Sequence, residues 1–441
     1  MDDLDTLFDD EQPMENTLRL PTGIEKLTEG QMQAWREIEA TLNEGWPHHL
    51  ITGPAGTGKT TLLQCLALNY PNVVMAAPTH KAVGVMRKKI PQASSFYTVH
   101  KLLEMRPANP KSTELEFQQV KKNNDAVDIY SIVIVDECSM IPRNLMALLK
   151  VFNVRCVIFA GDEEQLPPIG EEDMLSESFQ IRPMSALTEI MRQAQGNPLI
   201  QALTKLRGHK IDWDWKNENK AEGKGVYHAT PSFLAGKWGV IFKDEIFRND
   251  PDSARYLCFT NRRVAEINQA VRLALLGDVA RKQPFFAGER ILLRSPLFVF
   301  ETVENKLQKR TMLDTNTEGN ILEVGSATIE GVDTWAITMQ TDEGEIHVVQ
   351  VAVNPGQKRS MLQHIVEGST DYGRFRRYHD AKDRFVDAQS PYAITTHTAQ
   401  GSTFGTVILD LADMRKADAF TLRRLLYTAL GRAARMAIVV Q

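Results

Sequence analysis

Short apolar runs recur along the chain and are separated by longer segments in which apolar and polar residues mix. The runs at Val73–Ala77, Ile132–Val135 and Cys156–Ala160 consist entirely of apolar residues. Unbroken apolar runs of this length are typical of strands buried on both faces of a parallel sheet. With helical segments between them, these strands predict an α/β domain built on such a sheet.

A second series of apolar runs follows later in the chain. Tyr256–Phe259 precedes a segment with helical character, Asn261–Leu276. Three further apolar runs complete the series: Ala393–Thr395, Thr406–Leu409 and Ala437–Val440. The pattern therefore predicts a second α/β lobe.

The pattern changes between the strands of this second lobe. Gly319–Val324, Thr334–Met339 and Glu345–Val353 have the character of short β strands, separated by glycine turns such as Asp342-Glu343-Gly344. We therefore predict a small β module inserted at 297–386.

These patterns predict a domain organisation with one further insertion. Residues 104–128 are rich in Lys, Asn, Gln and Pro, which is too polar for a core, so we expect them to protrude. The N-terminal residues are acidic and are predicted to form a disordered tail. The predicted units are the tail at 1–26, a first lobe at 27–185, and a second lobe at 186–296 and 387–441.

Composition narrows the class of protein without identifying it. The 441 residues are 43% hydrophobic and 24% charged, which is ordinary for a soluble globular protein. No apolar run approaches the roughly 18 residues of a membrane span. The four cysteines form no CxxC pair and each lies in or beside an apolar segment, so we expect buried, reduced thiols in a cytoplasmic protein. Because the net charge is −5, any track for a polyanion must be local.

The most specific chemical signal is a glycine-rich loop that follows the apolar pair Leu50-Ile51. Strand, glycine-rich loop and helix in this order form a P-loop, whose backbone N–H groups cradle phosphates. Lys59 can reach the β- and γ-phosphates, and the Thr60 hydroxyl can hold Mg²⁺. The predicted nucleotide-binding residues, apart from Gln31 below, are Gly53, Pro54, Ala55, Gly56, Thr57, Gly58, Lys59, Thr60 and Thr61.

An acidic pair supplies a partner for this loop. Asp136 and Glu137 end the apolar run Ile132–Val135, at the carboxyl end of a predicted strand, where α/β folds bind ligands. Asp136 would hold Mg²⁺, directly or through water, and Glu137 would orient or deprotonate the attacking water. The two motifs together predict ATP hydrolysis with Mg²⁺.

Five more segments follow predicted strands or lie near the end of the chain: Ala77–Ala82, Thr98–His100, Gly161–Pro168, Thr396–Ser402 and Tyr427–Ala433. With the P-loop and the acidic pair, they resemble the ordered motifs of the superfamily 1 helicases over nearly the whole chain after residue 27. The similarity is closest to the RecD-like branch and, within it, to the Dda-type phage helicases.

The resemblance implies a fold and an activity. The fold would consist of two RecA-like parallel-sheet lobes, with a small pin inserted in the first and an SH3-like β module in the second. The activity would be that of an ATP-dependent DNA helicase that moves 5′→3′ on single-stranded DNA and separates duplex strands at the pin. Single-stranded and fork DNA are the expected partners, with single-strand-binding or replication proteins as further candidates, and the protein is expected to be a monomer.

The resemblance also implies roles around the nucleotide. Gln31 lies in a segment that looks like the Q motif, and its amide could pair with the adenine edge. Capping of the helix by Thr28 is equally compatible with that segment. Gln165 looks like the γ-phosphate sensor, while Arg192 and Arg432 look like arginine fingers from the second lobe, with a surface salt bridge as the alternative for either arginine.

The expected DNA contacts lie on several of these motifs. Thr and His side chains can bond phosphates or stack on bases, although any single histidine could instead be a packed or capping residue. Phe117, the only aromatic residue of the predicted pin, could stack on the last base pair or could simply anchor the hairpin. The predicted DNA-binding residues are Thr79, His80, His100, Phe117, His397 and Gln400.

One departure from the family pattern is visible. Many relatives carry a threonine where this chain has Gly431, so the local loop geometry could differ. Two other functions compete with the helicase: a phosphotransferase for small molecules, which would need no second lobe, and a nucleic-acid-binding module with an inactive ATPase. The second would tolerate loss of Lys59, Glu137 or Arg432, and all three are present.

Overall fold

The computed structural model describes residues 18–107, 117–119, 127–168, 170–171, 177–189, 198–208, 218–220, 224–243, 247, 250–303, 306–367 and 373–441. Residues 1–17 of the predicted tail and most of the predicted pin therefore lie outside the described residues, as does Arg192.

The first lobe is built on a parallel sheet. Among the described residues this sheet has six strands, in the order β3-β2-β6-β7-β1-β8. The strands are β1 His48–Thr52, β2 Val73–Ala77, β3 Ser95–Thr98, β6 Ile132–Val135, β7 Cys156–Gly161 and β8 Met184–Ala186, with β4 Met105–Pro107 and β5 Phe117–Gln119 outside the sheet. The helices are α1 Glu29–Asn43, α2 Lys59–Asn69, α3 His80–Lys89, α4 Val99–Leu102 and α5 Arg143–Leu149.

Both faces of this sheet are covered, which explains the unbroken apolar runs. Ile132 and Ile134 pack into the core that contains α1, α2 and α3, whereas Val133 and Val135 pack on the opposite face with α4 and α5. Alternate residues of one strand thus enter two different cores, so neither face can be polar.

The second lobe repeats the plan with a sheet whose described strands have the order β19-β11-β20-β21-β10-β9; among these strands, β9 is antiparallel to its neighbour and the other pairs are parallel. Its first part contains α6 Pro198–Arg207, β9 Glu218–Lys220, β10 Lys224–Ala229, α7 Pro231–Ala235, α8 Trp238–Lys243, β11 Ala254–Cys258, α9 Asn261–Leu276 and α10 Val279–Lys282. Leu199 and Leu206 of α6 are buried in its core.

Antiparallel strands and two helices are inserted after α10. They are β12 Arg290–Leu293, β13 Leu297–Val303, β14 Lys306–Leu313, β15 Glu318–Ile329, β16 Val332–Thr341, β17 Ile346–Ala352, α11 Pro355–Glu367, α12 Arg374–Lys382 and β18 Ala388–Gln389. We call this unit the β-insertion. Its main sheet has the order β17-β16-β15-β12-β18, so it also takes in β12 and β18, which flank the range 297–386.

The chain then returns to the second lobe. The last elements are β19 Ala393–Thr395, β20 Phe404–Asp410, α13 Leu411–Met414, α14 Ala419–Leu430 and β21 Ala433–Val440. The predicted pair of α/β lobes is confirmed, and so are the predicted helix at 261–276 and the four cysteines as buried free thiols. In the part of the chain that is described, no helix has the length and apolar character needed to cross a membrane.

Candidate functional site

The P-loop connects β1 to α2 and folds around its own glycines. Gly58 has φ +82°, a left-handed conformation that favours glycine, and a Cβ there would lie 2.0 Å from Gln31 Nε2. The Lys59 ammonium donates to the carbonyl oxygens of Gly53 at 2.5 Å and Pro54 at 3.0 Å. The lysine therefore lies along the inner side of the loop, where phosphates would be held.

Gln31 connects α1 to this loop. Its side-chain oxygen accepts from Thr28 N at 2.9 Å, and Thr28 Oγ1 accepts from Gln31 N at 3.2 Å. This reciprocal capping box confirms the predicted cap by Thr28. Gln31 Nε2 faces the carbonyl oxygens of Thr57 at 3.4 Å and Gly58 at 3.3 Å. The amide thus supports the phosphate loop, and its pairing with adenine stays a prediction.

The acidic pair lies at the carboxyl end of β6. Glu137 has φ +52°, and a non-glycine residue in this region costs about 1–3 kcal/mol, a strain that is concentrated at functional sites. Asp136 accepts from Glu137 N at 2.9 Å. Burial and, to a smaller extent, the negative charge of Glu137 together raise the pKa of Asp136 to about 6. A bound cation would act in the opposite direction.

Residues of both lobes line one small cavity beside this pair. The cavity, about 110 Å³, is lined by Thr60, Asp136 and Glu137 from the first lobe and by Gly401 and Arg432 from the second. We call it the nucleotide cleft. A Cβ on Gly401 would lie 3.0 Å from Ala82 Cβ, so the small residue lets the two lobes approach closely.

Arg432 brings positive charge to the acidic pair. Its Nη1 lies 3.6 Å from Glu137 Oε1 and 3.4 Å from the Ser402 carbonyl oxygen, and the residue is buried. Its Nε has no hydrogen-bond partner among the described residues. Gly431, just before it, has φ −65° and ψ −12°, ordinary helical values, so its extra conformational freedom is not used.

Gln165 lies in the loop Gly161–Pro168 after β7, which we call the sensor loop. The residue is buried, and its Oε1 has no hydrogen-bond partner within the described part of the chain. Its carbonyl oxygen accepts from Arg424 Nη1 at 2.7 Å. The buried amide oxygen is therefore free to bond a group that enters the site.

The residues predicted to contact DNA follow the carboxyl ends of several strands. Thr79 caps α3, where its Oγ1 accepts from Ala82 N at 3.2 Å. His80 is exposed, and its Nδ1 lies 2.7 Å from Asp314 Oδ2 of the β-insertion. Partial burial lowers the pKa of His100, and the neighbouring His80 lowers it further.

The remaining predicted DNA contacts have different environments. His397 is half-buried in the turn after β19. Gln400 is buried, and its Nε2 donates to the Leu166 carbonyl oxygen at 3.1 Å, which joins the second lobe to the sensor loop. Phe117 lies in β5, whose antiparallel pairing with β4 places it opposite Pro107. The backbone there forms the stem of a hairpin.

The sequence predicted no contact with the sensor loop for several residues that hold it, although two of them lie in the motif segment Tyr427–Ala433. They come from α6 and α14 of the second lobe: Arg207, Arg423, Arg424, Tyr427 and Thr428. The adjacent arginines 423 and 424 are a visible signal, but two neighbouring cations on a helix are usually solvated. The described residues contain no cluster of three or more His, Cys, Asp or Glu side chains suited to a metal.

Comparisons with known proteins agree with this architecture. Residues 26–225 match the model of an AAA domain, and residues 391–440 match the UvrD-like helicase C-terminal domain. The ATP-dependent DNA helicase dda of enterobacteria phage T4 is 25% identical over 92% of this chain and 97% of its own length. The ATP-dependent RecD2 DNA helicase of Deinococcus radiodurans is 34% identical over 42% of this chain and 26% of its own length.

A solved structure extends the similarity to the whole fold. It is a Pif1 helicase, from work on DNA unwinding at forked double-stranded DNA, with 16% sequence identity and a TM-score of 0.51. The match covers 94% of this chain and 92% of the other.

Proposed function

Because the chain belongs to the Dda- and RecD-like branch of superfamily 1 and is an ATP-dependent DNA helicase, we propose that it moves 5′→3′ on single-stranded DNA by cycles of lobe closure. One observation carries the proposed coupling: Arg432 of the second lobe lies 3.6 Å from Glu137 of the first. Hydrolysis then requires both lobes, since the charge that stabilises the transition state comes from across the cleft.

We propose one step of the reaction for each predicted residue of the nucleotide site. Lys59 binds the β- and γ-phosphates, and Glu137 orients the attacking water and accepts its proton. Arg432 neutralises charge that develops on the transferred phosphoryl group, as Arg192 does from its own segment. Arg432 is buried, and its contacts with Glu137 and the Ser402 carbonyl oxygen are long. Its guanidinium is therefore available to a phosphate.

The same cleft fits a magnesium ion. Thr60 and Asp136 line it with hydroxyl and carboxylate oxygens, the ligands that Mg²⁺ takes together with nucleotide phosphates. Thr60 and Asp136 would hold the ion, which supplies charge stabilisation to the phosphates when bound.

We further propose that the DNA strand runs along the edge formed by Thr79, His80, His100 and His397. Two pieces of geometry support this path: the first three follow adjacent parallel strands of the first lobe, and His397 follows the edge strand of the second. The module around 297–386 is proposed to be SH3-like, and the hairpin stem of β4 and β5 to carry the pin.

Duplexes with a single-stranded tail test the direction. A duplex with a 5′ tail should be opened in the presence of ATP and Mg²⁺, and one with a 3′ tail should stay intact. The Lys59→Ala variant is the control, since it should open neither. Opening of the 3′-tailed duplex alone would reject the proposed direction.

The pin has a test of its own. Phe117→Ala should slow strand separation more than it slows DNA-stimulated ATP hydrolysis, since stacking on an opened base is worth about 1–3 kcal/mol and acts at the fork. Unchanged unwinding by this variant would give Phe117 a purely structural role. A chain that binds single-stranded DNA but hydrolyses no ATP, with or without that DNA, would instead favour the nucleic-acid-binding module with an inactive ATPase.

A further inference from the structure

The sensor loop belongs to the first lobe by its position in the chain, yet its backbone is bonded to the second lobe. Leu166 N donates to Thr428 Oγ1 at 3.0 Å, and the Leu166 carbonyl oxygen accepts from Gln400 Nε2 at 3.1 Å. The Gln165 carbonyl oxygen accepts from Arg424 Nη1 at 2.7 Å. Three backbone groups of one short segment are thus satisfied across the lobe boundary.

The acidic side chains of the loop continue the same pattern. Asp162 is fully buried; its two oxygens accept from Tyr427 Oη at 2.6 Å and from Arg207 Nη1 at 3.0 Å. Glu164 pairs with Arg423, and these side chains are only 12% and 8% exposed. Buried charges need such partners, because an unpaired one would be costly.

The polar contacts of residues 162–166 are directed to one side of the lobe boundary. Within the described part of the chain, every hydrogen bond and ion pair that these residues make outside the loop goes to the second lobe. The α6 helix counts with that lobe, since Leu199 and Leu206 lie in its core. The segment is tied to β7 by the covalent chain.

This arrangement has a mechanical consequence at the nucleotide. The phosphates would be held by the P-loop, which is part of the first lobe. Gln165, whose buried Oε1 has no hydrogen-bond partner among the described residues, is carried by a segment that is bonded to the second lobe. The distance between the amide and the γ-phosphate therefore changes when the lobes move relative to each other.

We propose that Glu164 and Arg423 are positioning residues that make the sensor loop follow the second lobe, and so make ATP turnover depend on DNA. This inference rests on the proposed function. Neither residue would touch the nucleotide. The pair acts through Gln165. The arginines 207, 423 and 424 of the second lobe bind the sensor loop, and Gln165 follows the movement of that lobe only while these contacts are kept.

Neutralising the pair tests this inference. In Arg423→Gln and in Glu164→Gln, the ATPase kcat with saturating single-stranded DNA should fall by about tenfold, because a misplaced group loses its effect on the reacting centre. The rate without DNA should change less, and KM for ATP should stay within about threefold, because P-loop binding is untouched. The stimulation ratio, kcat with DNA divided by kcat without it, should therefore fall.

Two further variants separate positioning from stability. Arg272→Gln breaks another buried pair, with Glu289 at 2.8 Å in the second lobe; the hydrogen bonds that Arg272 makes in the described part of the chain go to Glu289, Ala280 and Gln283 rather than to the sensor loop. It should lower the melting temperature while leaving the stimulation ratio unchanged. The exchanged pair, Glu164→Arg with Arg423→Glu, should recover most of the lost ratio, since the opposite charges face each other again.

The possible results are distinguishable. If both rates of Arg423→Gln fall in proportion, so that the ratio is kept, the variant has only lost active protein and the inference is rejected. The inference is also rejected if Arg272→Gln lowers the ratio as much. If the unaltered chain shows no stimulation by DNA, the proposed function fails first and the inference fails with it.

Discussion

The first lobe meets the rest of the molecule at two faces that differ in chemistry. On the nucleotide side, Asp162 bonds Tyr427 at 2.6 Å, and the acceptor is entirely buried. On the side of the β-insertion, His80 lies 2.7 Å from Asp314, but these side chains are 47% and 35% exposed. One contact is shielded from water and the other is open to it.

The difference indicates which contact persists. Exposed ion pairs are worth about 0–1 kcal/mol and weaken with salt, whereas buried hydrogen-bonded groups lose several times more when a partner is removed. The buried contacts on the nucleotide side should therefore keep the two lobes attached to each other. The contact between α3 and the β-insertion can open at little cost, which suits the face where the proposed DNA path lies.

The largest effect is expected on the nucleotide side. Arg432→Ala should lower the DNA-stimulated kcat by roughly 10³-fold or more, the scale of an arginine finger. The measurement is steady-state ATPase with saturating single-stranded DNA. Arg435→Ala, which removes an exposed arginine of the adjacent strand β21, should have little effect. A rate close to that of the unaltered chain in Arg432→Ala would remove Arg432 from the reaction.

The next effect concerns the acidic pair. Glu137→Gln should bind ATP and Mg²⁺ normally but hydrolyse ATP about 10²-fold more slowly or worse, since the amide keeps the shape and loses the basicity. Equilibrium binding of a fluorescent ATP analogue and single-turnover hydrolysis measure the two properties separately. Loss of nucleotide binding would show instead that Glu137 is a binding or structural residue.

A smaller effect tests how the β-insertion is anchored. Glu318 lies 3.1 Å from Arg255 and 3.2 Å from Arg290, but 3.9 Å from Lys81 of the first lobe. Glu318→Gln should lower the free energy of unfolding in urea by about 3 kcal/mol, because it removes the charge of the buried carboxylate that Arg255 and Arg290 share. The matched variant Lys81→Met should cost less than about 1 kcal/mol. Equal losses of stability in Glu318→Gln and Lys81→Met would contradict the expectation that Glu318 is held mainly by the two arginines and only weakly by Lys81.

The ionisation of Glu318 also makes the stability of the protein depend on pH. Burial alone would raise the pKa of Glu318, but the positive charges of Arg255, Lys81 and Arg290 outweigh it and hold the pKa below its ordinary value. The ionised form therefore adds stability above the unfolded pKa of about 4.3, and that stability is lost as the pH falls through the lower folded value. The difference in the free energy of unfolding between the unaltered chain and Glu318→Gln should therefore become smaller as the pH falls below about 4.3.

The smallest effect is expected at the exposed contact. Asp314→Asn should tighten binding of single-stranded DNA by no more than about fivefold, because a carboxylate no longer competes with phosphate for His80. Fluorescence anisotropy at low and high salt measures it, and the gain should shrink as salt rises. Asp333→Asn removes an exposed charge elsewhere on the β-insertion and should not tighten binding. An equal gain from both would indicate a general charge effect.

The sequence by itself determined the local machinery. Apolar runs determined the strands at 73–77 and 132–135 because burial on both faces leaves no polar alternative. Glycine spacing determined the P-loop because Gly58 has φ +82°, a left-handed conformation that favours glycine. These features depend on neighbouring residues, so a linear pattern contains them.

Only the tertiary structure decided which distant residues meet. Nothing in the linear pattern placed Asp314 beside His80, or made the sensor loop depend on Arg423. Such contacts depend on how two lobes and an insertion pack, and a surface arginine and a clamping arginine look alike in a sequence. The physical reason is that burial of a charge is set by the surrounding fold, whereas its residue type is set by the chain.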